Sequence, residues 1–169
     1  MAIDKGNSFA MNMYANILYN GDGIEMNKVE AVKYYKMAIK KGNADAMNNY
    51  AYMLNHGEGV KENKKEALKY YKMAADQGNV AAMNNYAKML ENGEEGVFEM
   101  NKKEAIKYYK LAIEQESDVG MFNYAKLLEN EEDENNENKE EAAKFYKLAA
   151  DKGNTDAMNN FAYLLNHGE

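Results

Sequence analysis

Residues 41–76 read KGNADAMNNYAYMLNHGEGVKENKKEALKYYKMAAD, and this stretch recurs, lightly edited, through the whole chain. Aligned on one aromatic, the copies fall at Tyr14, Tyr50, Tyr86, Tyr124 and Phe161, with steps of 36, 36, 38 and 37 residues. A period of that size enclosing two apolar helical patterns is the sequence mark of a helical solenoid. The expected architecture is all-α: a right-handed superhelix of antiparallel helix pairs. It forms a single domain over residues 1–169, with repeats at 5–40, 41–76, 77–114 and 115–151 and a half repeat at 152–169.

The first helix of a unit is plainest in the second copy. Met47, Tyr50, Ala51 and Leu54 stand at i, i+3, i+4 and i+7, which is one helical face. The same four places hold Met11, Tyr14, Ala15 and Leu18; Met83, Tyr86, Ala87 and Leu90; Met121, Tyr124, Ala125 and Leu128; and Met158, Phe161, Ala162 and Leu165. A methionine and aromatic stripe at strict helical spacing is core, not a cofactor box. The second helix opens on Asn27, Asn63, Asn101 or Asn138, with Glu30, Glu66, Glu104 or Glu141 three residues later. That spacing predicts a capping box: the Asn oxygen accepts an early backbone N–H, and the Glu reaches back to the N–H of the cap. Alanines at fixed points (Ala31, Ala67, Ala105, Ala142, and Ala38, Ala74, Ala112, Ala149) let helices approach closely.

Between units the chain runs Gly6-Asn7, Gly42-Asn43, Gly78-Asn79 and Gly153-Asn154. Gly suits a left-handed residue closing one helix, and Asn caps the next. Glu116-Ser117 stands there in the fourth copy, and a different turn or a helix offset is expected, because Glu is strained in that conformation. Within units the helices are joined by Gly21-Asp22-Gly23 and Gly57-Glu58-Gly59, and by the two-residue-longer Gly93-Glu94-Glu95-Gly96. No strand precedes these glycines, so they are turns and not phosphate loops. The acidic run from Glu129 to Asn138 lacks calcium-loop spacing and is read as a solvated loop, with weak cation binding as the alternative.

The composition narrows the function. Net charge is -7, there is no Cys, Pro or Trp, and every basic side chain is Lys. An acidic chain with mixed charges is a poor match for nucleic acid or an anionic membrane. Without Cys there are no disulfides, thiolate chemistry or zinc-cysteine sites. Mean hydropathy is -0.78 although 46% of residues are hydrophobic, which suits thin helices with one buried stripe each. No stretch resembles a signal peptide or reaches membrane-spanning length, and a cytoplasmic setting is expected.

Several residues recur in register: Ala44-Asp45-Ala46, Tyr50-Ala51, Gly57-Glu58-Gly59-Val60, Lys65-Glu66-Ala67, Tyr70-Tyr71 and Met73-Ala74-Ala75-Asp76-Gln77-Gly78. On these the chain resembles the Sel1-like repeat, a relative of the tetratricopeptide repeat with a longer turn inside each unit. It departs where that family usually has Gly, at Ala51, and often Pro, at Lys61 and Glu25. The resemblance implies a non-enzymatic adaptor or scaffold that binds proteins, and it supplies no catalytic residues.

The residues agree. His56 and His167 lie in different repeats and cannot share a metal, and Ser8, Ser117 and Thr155 sit at helix starts, where capping explains them. No catalytic residue, metal site or cofactor is expected, and the partner is a protein or peptide. The remaining candidate surface is the concave face lined by the first helices. It should carry Asn12 and Asn16 in the first copy; Asn48, Asn49 and Tyr52 in the second; Asn84, Asn85 and Lys88 in the third; Phe122 and Asn123 in the fourth; and Asn159 in the last. An Asn amide both donates and accepts, so a ladder of them can hold an extended peptide by its backbone, with Tyr19, Tyr52 and Phe122 selecting side chains. Two other readings stand beside it: the amides bond to one another, or the chain is a structural spacer without a ligand. At the ends, Ala2 to Asn7 matches Ala38 to Asn43, the tail of a second helix. The last helix lacks a second helix of its own, so weak end-to-end self-association is expected.

Overall fold

The computed structural model describes residues 6–131 and 137–167. The described chain is built from α1 (Ser8–Asn20), α2 (Lys28–Ile39), α3 (Ala44–His56), α4 (Lys64–Ala75), α5 (Val80–Asn92), α6 (Lys102–Glu114), α7 (Asp118–Glu129), α8 (Glu137–Asp151) and α9 (Thr155–His167). The all-α architecture of paired helices is the expected one. Two compact units divide inside α5: Met1–Tyr86 with Glu94–Glu99, and Ala87–Gly93 with Met100–Glu169.

In the first unit, α1 and α2 run antiparallel. The N–H of Asn27 donates to the Leu18 carbonyl at 2.8 Å, and further along the Tyr14 and Tyr34 rings meet edge to face at 4.7 Å. The pair α3/α4 repeats this, with Asn63 on Leu54 at 2.8 Å and Tyr50 against Tyr70 at 5.1 Å. In the second unit, Asn101 donates to Leu90 at 2.8 Å, and Tyr124 meets Phe145 at 5.1 Å. The eight repeated alanines are fully buried, so helix backbones come together where the aromatics leave room. Successive repeats are tied by recurring contacts. Lys36 lies 5.0 Å over the Tyr50 ring, and Lys110 lies 5.2 Å over Tyr124. The cap Asn79 donates to Asp45 at 2.7 Å, as Asn154 does to Asp118 at 3.1 Å.

The caps form with one correction. Asn27, Asn63 and Asn101 accept from the backbone N–H of Glu30, Glu66 and Glu104. Their own N–H groups are already held by the Leu carbonyls, so the glutamates accept instead from the Asn side-chain amides, at 3.3, 3.1 and 3.2 Å. A second correction is Asn138, expected as a cap: α8 already includes Glu137, so Asn138 is a helix residue. Residues 132–136, most of the acidic run, lie outside the described residues, as do Ala2 to Lys5, Gly168 and Glu169 of the end comparison.

A third correction concerns Glu116. It takes the left-handed place itself, at φ 61, where Gly42 has φ 81. The turn is unchanged: Glu116 donates to Ile113 at 2.8 Å and Ser117 to Ala112 at 3.1 Å, as Gly42 does to Ile39 and Asn43 to Ala38. Two backbone bonds and the Ser117 cap on Gly120 at 3.0 Å hold the conformation against the side chain's preference. The Glu116 carboxylate, freely exposed, pairs with Lys152 at 2.9 Å. In α9 Met158 and Leu165 are exposed and Phe161 is half-buried.

Candidate functional site

Asn12 and Asn16 stand one turn apart on α1, facing α3. There Asn49 donates from its amide to both, at 3.3 and 3.1 Å. Asn48 donates to the Asn49 oxygen at 3.3 Å, and Asn85 to the Asn48 oxygen at 3.0 Å. Every bond in this relay points the same way, from α5 toward α1. Asn12 and Asn84 are buried, at 4% and 6% exposure, where the sequence reading had placed exposed rungs. The amides of Asn12, Asn48, Asn49 and Asn85 pair with one another because a buried Asn without partners is costly.

The relay ends at a pocket of about 450 Å³ lined by Asn16, Tyr19, Asn20, Tyr35, Asn49, Tyr52 and Met53. Tyr35 belongs to α2 and reaches between helices, so that its hydroxyl donates to the Asn16 oxygen at 2.7 Å. Burial pushes the Tyr35 phenol up to about 12. At the rim the Tyr19 hydroxyl donates to Glu58 Oε2 at 2.5 Å, and Lys28 donates to the same oxygen at 2.8 Å while lying 4.8 Å over the Tyr19 ring. Burial and then the Glu58 carboxylate raise the Tyr19 phenol well above its ordinary value. The Lys28 and Tyr19 hydrogen bonds hold the Glu58 carboxyl below the usual range. Tyr52, 41% exposed, stacks on His56 at 4.1 Å.

The second unit repeats the tyrosine device with a different acceptor. Tyr109 donates to Glu91 at 2.7 Å, and Tyr146 to Glu129 at 2.6 Å. Burial first, and the carboxylate second, raise both phenols far above their ordinary value. Phe122 and Asn123 are half-buried, with Lys126 5.9 Å over the Phe122 ring, while Lys88 and Asn159 are exposed.

Of the residues singled out from sequence, the pocket collects Asn16, Tyr19, Asn49 and Tyr52, with Asn12, Asn48 and Asn85 behind them in the relay. Asn84 is in the same unit; Lys88, Phe122, Asn123 and Asn159 belong to the other. Tyr35 and Met53 also line the pocket, and neither is among the residues that the sequence singles out for the site. A signal was present for Tyr35. In the doublets Tyr34-Tyr35, Tyr70-Tyr71, Tyr108-Tyr109 and Phe145-Tyr146 only the second member keeps its hydroxyl throughout. Among the described residues no group of three or more His, Cys, Asp or Glu side chains could hold a metal ion, and no helix is long and apolar enough to cross a membrane.

Comparison with known proteins agrees with this repeat geometry. The Sel1 repeat family profile matches residues 8–43, 44–79, 80–117 and 119–154. No curated protein matches the chain. Among solved structures, a Sel1 repeat protein from Oxalobacter formigenes is 26% identical, with a TM-score of 0.82 over 94% of this chain and 62% of its own. A protective antigen present in uropathogenic Escherichia coli strains, displaying an SLR fold, is 24% identical, with a TM-score of 0.87 over 99% of this chain and 36% of its own. The chain therefore spans less than two thirds of the first relative and little more than a third of the second. With four consecutive profile matches, laid over helices, caps and turns that repeat in the structure, the chain belongs to the Sel1 repeat family.

Proposed function

We propose that the chain is a non-enzymatic scaffold that holds a peptide or protein segment on the face formed by its first helices. Sel1 repeats commonly serve as protein-interaction scaffolds. The observation that carries the finer reading is the pocket between α1 and α3, with exposed Tyr52 at its wall and Phe9, 62% exposed, on the same helix as Asn16. Aromatic side chains beside a concave polar floor are the usual makings of a peptide anchor site. The partner is protein and not nucleic acid, since the net charge of -7 repels phosphate. The test is selection of a displayed random peptide library on the whole chain, repeated with Tyr52→Ala. Enrichment of a common motif that Tyr52→Ala abolishes is the expected result. Enrichment untouched by that change would move the site elsewhere.

One observation favours the second reading, a structural spacer. The amides of Asn12, Asn48, Asn49 and Asn85 are already bonded to one another, so the ladder as a whole is not open to a peptide backbone. Failure of the selection to enrich any motif would favour the spacer.

A further inference from the structure

We propose that the pocket between α1 and α3 is specific for a neutral carboxamide, the side chain of a glutamine or asparagine presented by a peptide; this rests on the scaffold reading and names the ligand chemistry of its site. The basis is the set of hydrogen-bonding groups left over once the internal bonds are drawn. The Asn16 oxygen accepts from Tyr35 at 2.7 Å and from Asn49 at 3.1 Å, which fills both lone pairs. Its amide NH2 has no bond among the described residues, and neither has the Tyr52 hydroxyl. Those are the donors the pocket offers. The acceptors are the Asn20 oxygen, whose amide nitrogen donates to Asp22 at 3.1 Å, and the lone pairs of the Tyr19 and Tyr35 hydroxyls, whose O–H groups donate to Glu58 and Asn16.

The relay strengthens this donor. Each amide from Asn85 through Asn48 and Asn49 to Asn16 donates to the next. Aligned amide dipoles polarise one another, so the last member, the NH2 of Asn16, is a better donor than an isolated amide. Asn49 cannot turn over without losing its bonds to both Asn12 and Asn16.

No charged side chain lines the pocket. A carboxylate entering it would be desolvated with no cation to meet, near a Glu58 whose charge already belongs to Lys28 and Tyr19. An ammonium would find that same carboxylate occupied. A purely apolar group would leave the Asn16 donor buried and unpaired, which costs more than the contact with Met53 returns. A carboxamide carries two N–H donors and a carbonyl acceptor on separate atoms without charge, so it can answer the Asn16 donor and the pocket's acceptors at once, whereas a hydroxyl brings a single proton on the same atom that accepts.

The test uses three capped single-residue probes, N-acetyl N-methylamides of glutamine, glutamate and norleucine, titrated into the whole chain and followed by the side-chain amide NMR signals of Asn16, Asn20 and Asn49. The glutamine probe should shift Asn16 and bind about tenfold tighter than the other two, the ratio expected when a buried donor is satisfied in one case only. Asn16→Leu should erase that preference. Asn20→Ala, which removes only an acceptor at the exposed rim, should narrow it while leaving the remaining spectrum, and hence the fold, unchanged. Equal or tighter binding of the glutamate or norleucine probe would overturn the proposal, as would the absence of any shift at Asn16 at saturating probe. Library peptides anchored by a different side chain would then leave the scaffold standing with another specificity, whereas a library without binders would remove both.

Discussion

Glycine 59 allows the docking of one repeat on another to be weighed against an internal control. Gly23 and Gly59 hold the same place in successive turns, both left-handed, at φ +77 and +65. Alanine at either site pays the same backbone penalty, about 1 kcal/mol. Their surroundings differ. A Cβ on Gly23 meets nothing within 4 Å, whereas a Cβ on Gly59 would stand 2.6 Å from both the carbonyl carbon and oxygen of Lys28 and 2.8 Å from its Cβ. Lys28 opens α2 of the preceding repeat, so these atoms are helix backbone and do not yield as a side-chain tip would. The turn must retreat by most of an ångström to restore ordinary contact. The Lys28–Glu58 pair at 2.8 Å and the Tyr19–Glu58 bond at 2.5 Å both cross that junction and loosen with it. Overpacking of this kind costs a further ~1–3 kcal/mol. Gly59→Ala should therefore destabilise by about 2–4 kcal/mol and Gly23→Ala by about 1 kcal/mol. Urea unfolding followed by far-UV circular dichroism measures both, through the midpoint at unchanged slope. Equal losses for the two variants would refute the docking of the second turn on α2.

Asn49→Ala should cost about 1–2 kcal/mol, because it removes the amide bonds to Asn12 and Asn16, while exposed Asn159→Ala should stay within ~0.5 kcal/mol; thermal melts separate them. Tyr109→Phe removes the hydroxyl bond to Glu91 and should destabilise by about 1 kcal/mol, and Tyr71→Phe, whose hydroxyl makes no bond among the described residues, should cost less. Stability should also fall at alkaline pH. Burial raises the folded pKa of Tyr35 to about 12 from an ordinary value of 10.0, so its neutral form stabilises the fold fully below pH 10 and that contribution is lost as pH climbs toward 12. Tyr35→Phe should flatten this part of a stability–pH profile, and an unchanged slope would assign the alkaline loss to other groups.

Periodicity made the helices legible because a stripe at i, i+3, i+4 and i+7 admits one conformation. The turns were legible because Gly and Asn have few other uses at those places. Glu116 was misread for a physical reason: local preference argued against a left-handed Glu, and the bonds from Glu116 to Ile113 and from Ser117 to Ala112 outweigh it. The candidate site was legible only in outline. Helical spacing put Asn16, Asn49 and Tyr52 on first helices, but not the burial of Asn12 and Asn84, which depends on how closely two helices approach. Nor does spacing within a helix say that Tyr35 crosses from the second layer to bond Asn16. The direction of the Asn relay follows from contacts between repeats, which no single repeat contains.

The bond from each cap N–H to a leucine carbonyl has a consequence for how such a chain tolerates change. Leu18 with Asn27 and Leu54 with Asn63 are joined across equal spans, and Leu90 with Asn101 across a span two residues longer, at the same 2.8 Å. The extra length is taken up by a small bridge in which Glu94 and Phe98 exchange backbone bonds of 3.0 and 3.1 Å. The clasp thus fixes where the second helix starts whatever lies between its two halves. Insertions in that interval need not propagate along the chain, which makes the segment from Gly93 to Phe98 a natural address for grafting an epitope or a reporter.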